Sequence, residues 1–141
     1  MIKLTKEIEQ EIRREGEKSY PNECCGVLLG ASDAQRVTTV ARILPIDNAR
    51  EQDEQYHRFV ISADDFLAAE RIARRQELEV VGFYHSHPDH PARPSEYDRA
   101  HALPFYSYII VAVAARVAGA FTSWRLSPAS KQFEQEDVDA S

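Results

Sequence analysis

Apolar residues recur with a helical period in two segments of this chain, and a capping signature marks a third helix. Near the start, Leu4, Ile8 and Ile12 are four residues apart and are separated mainly by charged residues. Thr5 is a suitable N-cap for a helix that begins here. This spacing predicts an amphipathic helix with one buried face. Ser62 and Ser95 each stand three positions before an aspartate, which is a signature of a helix start. The predicted helices, with their caps, are residues 5–19, 62–76 and 95–103.

Between these helices the chain carries short apolar runs, several rich in Val, Ile and Thr, which are typical of strands. The two longest runs, residues 106–114 and 117–126, predict central strands. Helices and strands follow one another without a repeat or a linker, and this order is typical of a mixed α/β domain. We expect one domain over residues 1–141. The predicted strands are residues 25–30, 36–46, 57–61, 79–84, 106–114, 117–126 and 131–138.

The composition narrows the classes of function. With 141 residues and 43% apolar content, the chain is long enough to bury a core without disulfides. A net charge of −6 argues against a nucleic-acid-binding protein, which would normally carry a basic face. The sequence lacks an apolar run long enough to cross a bilayer, and its first residues do not resemble a signal peptide. We therefore expect a cytoplasmic protein that binds no membrane.

The two cysteines, Cys24 and Cys25, are neighbours in the sequence. An ordinary disulfide between them would strain the intervening peptide, so free thiols in a reducing compartment are expected. A zinc site on the pair is disfavoured, because there is no Cys-x-x-Cys spacing and no second pair. We expect both side chains to be buried as small apolar residues.

The segment from residue 82 to residue 98 carries the chemistry. His85 and His87 are two apart at the end of an apolar run, so in a strand both imidazoles point to the same face. Ser95 and Asp98 are three apart beyond a proline-rich loop, so on a helix they also share a face. Two imidazoles and one carboxylate form a three-ligand set for zinc that leaves the fourth position for water.

Each part of this pattern also has a purely structural interpretation. Ser95 and Asp98 form a capping box, which by itself explains the pair. Histidines at a strand end are more often ordinary hydrogen-bonded residues, and Glu23 could be a turn residue. The joint pattern favours a reactive site, because the ligand types, a spare carboxylate and a spare hydroxyl occur together.

In this combination the chain resembles the JAMM (MPN+) metalloproteases, whose motif is a distant Glu, then His-x-His-Pro, a short gap and Ser-x-x-Asp. Glu23, His85, His87, Ser95 and Asp98 fill that motif without a substitution. The resemblance to the small prokaryotic members extends over most of the chain, roughly residues 4–138. It implies the JAB/MPN fold: a single mixed, curved sheet flanked by helices, similar to that of cytidine deaminases.

The resemblance also implies a function. Zn²⁺ would be held by His85, His87 and Asp98, with Glu23 as general base and Ser95 as oxyanion donor. The reaction would be hydrolysis of the amide bond after the C-terminal Gly-Gly of a ubiquitin-like β-grasp protein, such as a sulfur carrier. The bound tail is expected to lie extended along a sheet edge.

Two other functions stay open at this point. One is a catalytically silent MPN scaffold for protein assembly, and the other is a zinc hydrolase of small amides or cell-wall peptides. The apolar strands could also support a homodimer. Asn48 and His90 are weaker site candidates: Asn48 is more typical of a turn, and His90 is expected to be exposed.

Overall fold

A computed structural model of the protein describes residues 1–47 and 61–141. These ranges contain three helices and eight strands that form one sheet. The helices are α1 (Lys6–Ser19), α2 (Ala63–Arg75) and α3 (Glu96–His101). The strands are β1 (Ile2–Leu4), β2 (Cys25–Ser32), β3 (Thr38–Ile46), β4 (Glu79–Pro88), β5 (Ser107–Ala114), β6 (Val117–Leu126), β7 (Phe133–Glu136) and β8 (Val138–Ala140).

The strand order, β7-β6-β5-β4-β2-β3-β1-β8, requires a strongly curved sheet. β7 and β8 occupy opposite edges, yet β7 ends at Glu136 and β8 begins at Val138. A single residue can join the two edges only if the sheet curls until they nearly meet. Parallel pairs (β4–β5, β1–β3 and β1–β8) occur with antiparallel ones. The predicted mixed, curved sheet flanked by helices is therefore confirmed.

A polar cluster links the β7 edge of the curled sheet to β3, which lies near the other edge. On β7, Glu136 accepts hydrogen bonds from Ser123 Oγ at 2.7 Å and from Arg125 Nε at 3.0 Å. The same arginine also donates to Thr38 Oγ1, at the start of β3. Burial by itself would raise the pKa of Glu136, but the bonds from Ser123 and Arg125 lower it overall.

The sheet separates two apolar cores, and alternation along β4 decides which residue enters which core. Tyr84 points to the side covered by α1, where it packs near Ile8 and Ile12. Phe83 points to the side covered by α2 and stacks on Phe66, with ring centroids 6.0 Å apart. The histidines that follow Phe83 at two-residue steps therefore lie on the α2 side.

The structure corrects several predicted boundaries. Leu4 lies in β1 and not on the buried face of α1. Strand β4 extends to Pro88, so both histidines lie within the strand. The single strand predicted over residues 131–138 is two strands, because Asp137 crosses between the sheet edges. The strand predicted over residues 57–61 lies outside the described residues except for Ile61, which is not in a strand.

Within the described ranges, none of the helices combines the length and apolar character that spanning a membrane would require.

Candidate metal centre

Strand β4 holds the two imidazoles rigidly on the α2 side of the sheet. β4 pairs with β2 on one side and with β5 on the other, so His85 is opposite both Cys25 and Ile110. Only 1% of the surface of His85 and 4% of that of His87 is exposed. Both side chains therefore project from a central strand rather than from a loop: His85 lies where β4 is paired on both sides, and His87 lies opposite Ala112 of β5.

Helix α3 brings Asp98 to the same point through its N-terminal cap. Ser95 N donates to Asp98 Oδ2 at 2.9 Å, and Asp98 N donates to Ser95 Oγ at 3.0 Å. The capping box considered from the sequence is thus present. The carboxylate oxygen that closes this box also faces the histidines, so the structural and the functional interpretations of Asp98 are compatible.

Three potential ligand atoms form a small triangle. His87 Nε2 lies 3.1 Å from His85 Nε2 and 3.1 Å from Asp98 Oδ2, and His85 Nε2 lies 3.3 Å from Asp98 Oδ2. Zinc bonds of about 2.0–2.2 Å at tetrahedral angles separate neighbouring ligand atoms by roughly 3.3 Å. The donor types and their spacing therefore fit a zinc ion with an open fourth position.

A hydrogen bond at Nδ1 of His87 orients the ring so that Nε2 faces the triangle. His87 Nδ1 lies 2.9 Å from the carbonyl oxygen of Pro91, which can only accept. Nδ1 must therefore carry a proton, so Nε2 is the nitrogen of this ring that a metal at the centre of the triangle would bind. Carbonyl partners of this kind are typical of histidines that bind metals.

The electrostatics favour the metal-binding protonation states of His85 and Asp98. Burial lowers the pKa of His85, because charging a ring that is sealed from water is unfavourable, and Asp98 only partly offsets this effect. For Asp98, burial alone would raise the pKa, but His85, His87 and the Ser95 amide together hold it well below its usual range. At neutral pH, the site thus offers a neutral imidazole at His85 and an ionised carboxylate.

Glu23, two residues before the start of β2, reaches the same face of the sheet. Its carboxylate is buried, and its ligand atom and those of His85 and His87 all lie within 4.8 Å of one another. The structure thus brings together all four residues with metal-ligand or acid–base chemistry that the sequence singles out. Glu23, His85 and His87 form a second three-ligand set, but the tight triangle is made with Asp98.

A cleft of about 500 Å³ opens on the site between α2 and α3. His85 and Asp98 belong to its lining, and most of the remaining lining residues are apolar or aromatic. They include Phe66, Leu67, Tyr97, Leu103 and Tyr108. No sequence motif marks Tyr97, Leu103 and Tyr108 as site residues, although Tyr97 directly precedes Asp98 in α3.

The remaining candidates from the sequence lie at the margin of the site or outside it. The exposed ring of His90 has its centroid 5.6 Å from that of His87. Asn48 lies outside the described residues. Cys24 and Cys25 are free and buried, as expected. Burial raises the pKa of the Cys24 thiol to about 12, which makes a thiolate nucleophile at neutral pH unfavourable.

Comparison with protein families gives one match over most of the chain. The model of the family described as prokaryotic homologues of the JAB domain matches residues 5–127. This range includes Glu23, both histidines, Ser95 and Asp98.

Two curated proteins are similar to parts of the chain. Desampylase from Haloferax volcanii is 34% identical over 91 residues, which cover 64% of this chain and 62% of the relative. The tail tip assembly protein K of Escherichia phage N15 is 40% identical over 82 residues, which cover 57% of this chain and 28% of the phage protein. The chain thus spans less than two thirds of either relative.

Solved structures are similar over nearly the whole chain. A Salinibacter ruber protein is 40% identical, with a TM-score of 0.76, and the match covers 99% of this chain and 91% of that one. A JAB1/MPN domain protein from Archaeoglobus fulgidus is 17% identical, with a TM-score of 0.61, over 100% of this chain and 97% of that one. At that identity the second match shows a shared fold alone.

Proposed function

Because the chain belongs to the family of prokaryotic homologues of the JAB domain, we propose that it is a zinc-dependent isopeptidase of the JAMM type. Its substrate would be a ubiquitin-like β-grasp protein, such as a sulfur carrier, joined through a C-terminal Gly-Gly to an amine. The bond cleaved is the amide after the second glycine. We take residues 1–141 as one catalytic domain.

One observation supports this proposal most strongly: Nε2 of His85, Nε2 of His87 and Oδ2 of Asp98 lie 3.1–3.3 Å apart. These three residues would hold the zinc. Zinc bound by three protein ligands supplies Lewis acidity and an acidified water at the open position. A silent scaffold has no need to hold three ligand atoms at this spacing.

Two further side chains have roles that follow from their surroundings. Glu23 is buried near the histidines, and its carboxylate would take the proton of the attacking water and return it to the leaving amine. Ser95 Oγ accepts from Asp98 N, which leaves its own O–H free to donate to the oxyanion that develops on the scissile carbonyl.

The cleft next to the site suits an extended, partly apolar peptide tail. Its side chains from α2, α3 and β4 would bury such a tail beside His85 and Asp98 and exclude water. The relative from Haloferax volcanii is named a desampylase, and its similarity supports a ubiquitin-like modifier as the substrate class here.

The proposal is tested with a carrier substrate read by intact mass. A small β-grasp protein that ends in Gly-Gly is fused through an amide to a reporter peptide and incubated with zinc-loaded protein. We expect cleavage after Gly-Gly that a chelator abolishes and added zinc restores. The Glu23→Gln protein, loaded with zinc, is the matched control and should leave the substrate intact.

The same experiment separates the alternatives. A zinc-loaded protein that binds the carrier but never cleaves it would be a catalytically silent scaffold. The phage relative is named an assembly protein, and this name is the reason to test for a scaffold. Equal cleavage of the reporter peptide without the β-grasp body would indicate a hydrolase of small amides. Either result would overturn the proposed function.

A further inference from the structure

Ser86 lies between the two histidines but faces the opposite side of the sheet. Alternation along β4 points His85 and His87 toward α2 and the Ser86 side chain toward α1. Ser86 is completely buried, and its Oγ accepts a hydrogen bond from Cys24 N at 2.8 Å. A residue between the ligands is thus bonded to the residue that follows Glu23.

This bond holds β2 and β4 together at the end of their pairing. The regular ladder ends with Cys25 opposite His85. One residue beyond it, Ser86 N donates to Cys24 O at 3.2 Å, and the Ser86 hydroxyl accepts from Cys24 N. Both backbone polar groups of Cys24, the residue after Glu23, are therefore hydrogen-bonded to Ser86.

Helix α1 seals this contact from water. A Cβ atom added to Gly16 would lie 3.3 Å from Ser86 Cβ and 3.0 Å from Val113 Cγ2, so the helix approaches the sheet closely at this point. Because glycine stabilises a helix less than alanine does, Gly16 lowers the stability of α1 while it allows this close approach. With water excluded, the Cys24 amide depends on the serine hydroxyl, and without it a buried donor would be left without a partner.

We propose that Ser86 is a positioning residue that fixes the Glu23 carboxylate relative to the two imidazoles through its bond to Cys24 N. It touches neither substrate nor metal. The inference rests on the proposed function, since the position of Glu23 matters for the rate only if that carboxylate moves a proton. Its effect should appear in kcat and not in KM, because the cleft is unchanged.

The test compares two substitutions of equal size at this position. Ser86→Thr keeps the hydroxyl, and Ser86→Val replaces it with a methyl group, so any crowding against Gly16 is common to both. We expect Ser86→Val to lower kcat on the order of 10–100-fold with zinc content and KM unchanged, and Ser86→Thr to restore most of the rate. Ser123→Ala removes another buried hydroxyl, one that donates to Glu136, and should lower stability without changing kcat.

A second measurement does not depend on turnover. In Ser86→Val, the Cys24 amide should exchange with solvent faster than in Ser86→Thr. Zinc loading should shift the carboxyl carbon resonance of Glu23 in the parent protein and in Ser86→Thr, and less in Ser86→Val. If neither Ser86→Val nor Ser86→Thr folds, the same measurements are made on Ser86→Ala and compared with those on the parent protein.

The outcomes separate the two hypotheses. Equal kcat in the valine and threonine proteins, or an unchanged response of the Glu23 resonance, would overturn the positioning role. If the parent protein cleaves no carrier substrate at all, the proposed function fails, while the amide exchange and the Glu23 resonance still decide whether Ser86 positions that carboxylate.

Discussion

At the scale of single residues, the atom Oδ2 of Asp98 caps helix α3 and also faces the proposed metal position. A carboxylate oxygen has two lone pairs. In this structure, one can accept from Ser95 N at 2.9 Å, and the other can face Nε2 of both histidines. The cap therefore fixes the carboxylate in the orientation that a metal at the centre would need.

This double role predicts different outcomes for the two residues of the capping box. Ser95→Ala removes the hydroxyl but keeps the backbone amide that donates to Asp98. We expect zinc binding to remain, kcat to fall on the order of 10²–10³-fold, and the free energy of unfolding to fall by about 0.5–2 kcal/mol. Zinc content, kcat and urea unfolding measure the three effects. A parent-like kcat would contradict the oxyanion role.

Asp98→Ala should have the broader effect, because it removes a proposed ligand and half of the cap. We expect weaker zinc binding together with loss of hydrolysis, measured by zinc titration of the purified variant. Glu23→Gln is the matched comparison: it also neutralises a carboxylate of the site, but it should keep zinc and lose only turnover. Parent-like zinc affinity in Asp98→Ala would show that this carboxylate is not a ligand.

At the scale of elements, strand β4 depends on close backbone packing against β5 just before the histidines. Gly82 is opposite Ser107, and a Cβ at this glycine would overlap the Ser107 carbonyl oxygen. A backbone atom of a central strand cannot move aside easily. The position of both imidazoles is therefore tied to a glycine three residues before the first of them.

Gly82→Ala is expected to destabilise the protein by about 1–3 kcal/mol or more, since the added methyl group forces the two strands apart. Gly119→Ala is the control, because a Cβ there has its nearest neighbour at 3.8 Å and the residue is exposed. Urea unfolding of both variants measures the difference. Equal stability of the two variants would show that β4 and β5 can separate at little cost.

The elements also show what could be predicted from the sequence. The two-residue step between His85 and His87 and the Ser-x-x-Asp cap predicted the shared faces, because such local periods depend on neighbouring residues alone. The contact between Ser86 and Cys24 joins residues 62 positions apart, and no local pattern indicates that register. The three-residue strand β1 was missed because it is too short to show a period.

At the scale of the whole molecule, closure of the sheet rests on the polar cluster around Glu136. Its carboxylate, with Ser123 and Arg125 as donors, lies where β6 and β7 meet the start of β3. The pKa of Glu136 is lowered in the folded protein, so its charged form is favoured by folding. The stabilisation is complete above the pKa of an unfolded glutamate, about 4.3, and is lost as the pH falls through and below that value.

Glu136→Gln should therefore lower the free energy of unfolding at pH 7 by about 1–3 kcal/mol, and the difference from the parent protein should shrink as the pH falls below about 4. Glu134→Gln, at an exposed position on the same strand, should have little effect at either pH. Urea unfolding at two pH values provides the measurement. A loss of stability that is the same at both would contradict the charge-dependent role of the cluster.

The proposed function depends on a zinc ion held by residues of β4 and α3, and anomalous diffraction from a zinc-loaded crystal tests this most directly. We predict one zinc peak per chain at bonding distance, about 2.0–2.2 Å, from Nε2 of His85, Nε2 of His87 and a carboxylate oxygen of Asp98. Glu23 should be near the peak without a bond to it. An empty site in the presence of excess zinc, or a zinc ion bound by Glu23 in place of Asp98, would contradict this ligand set.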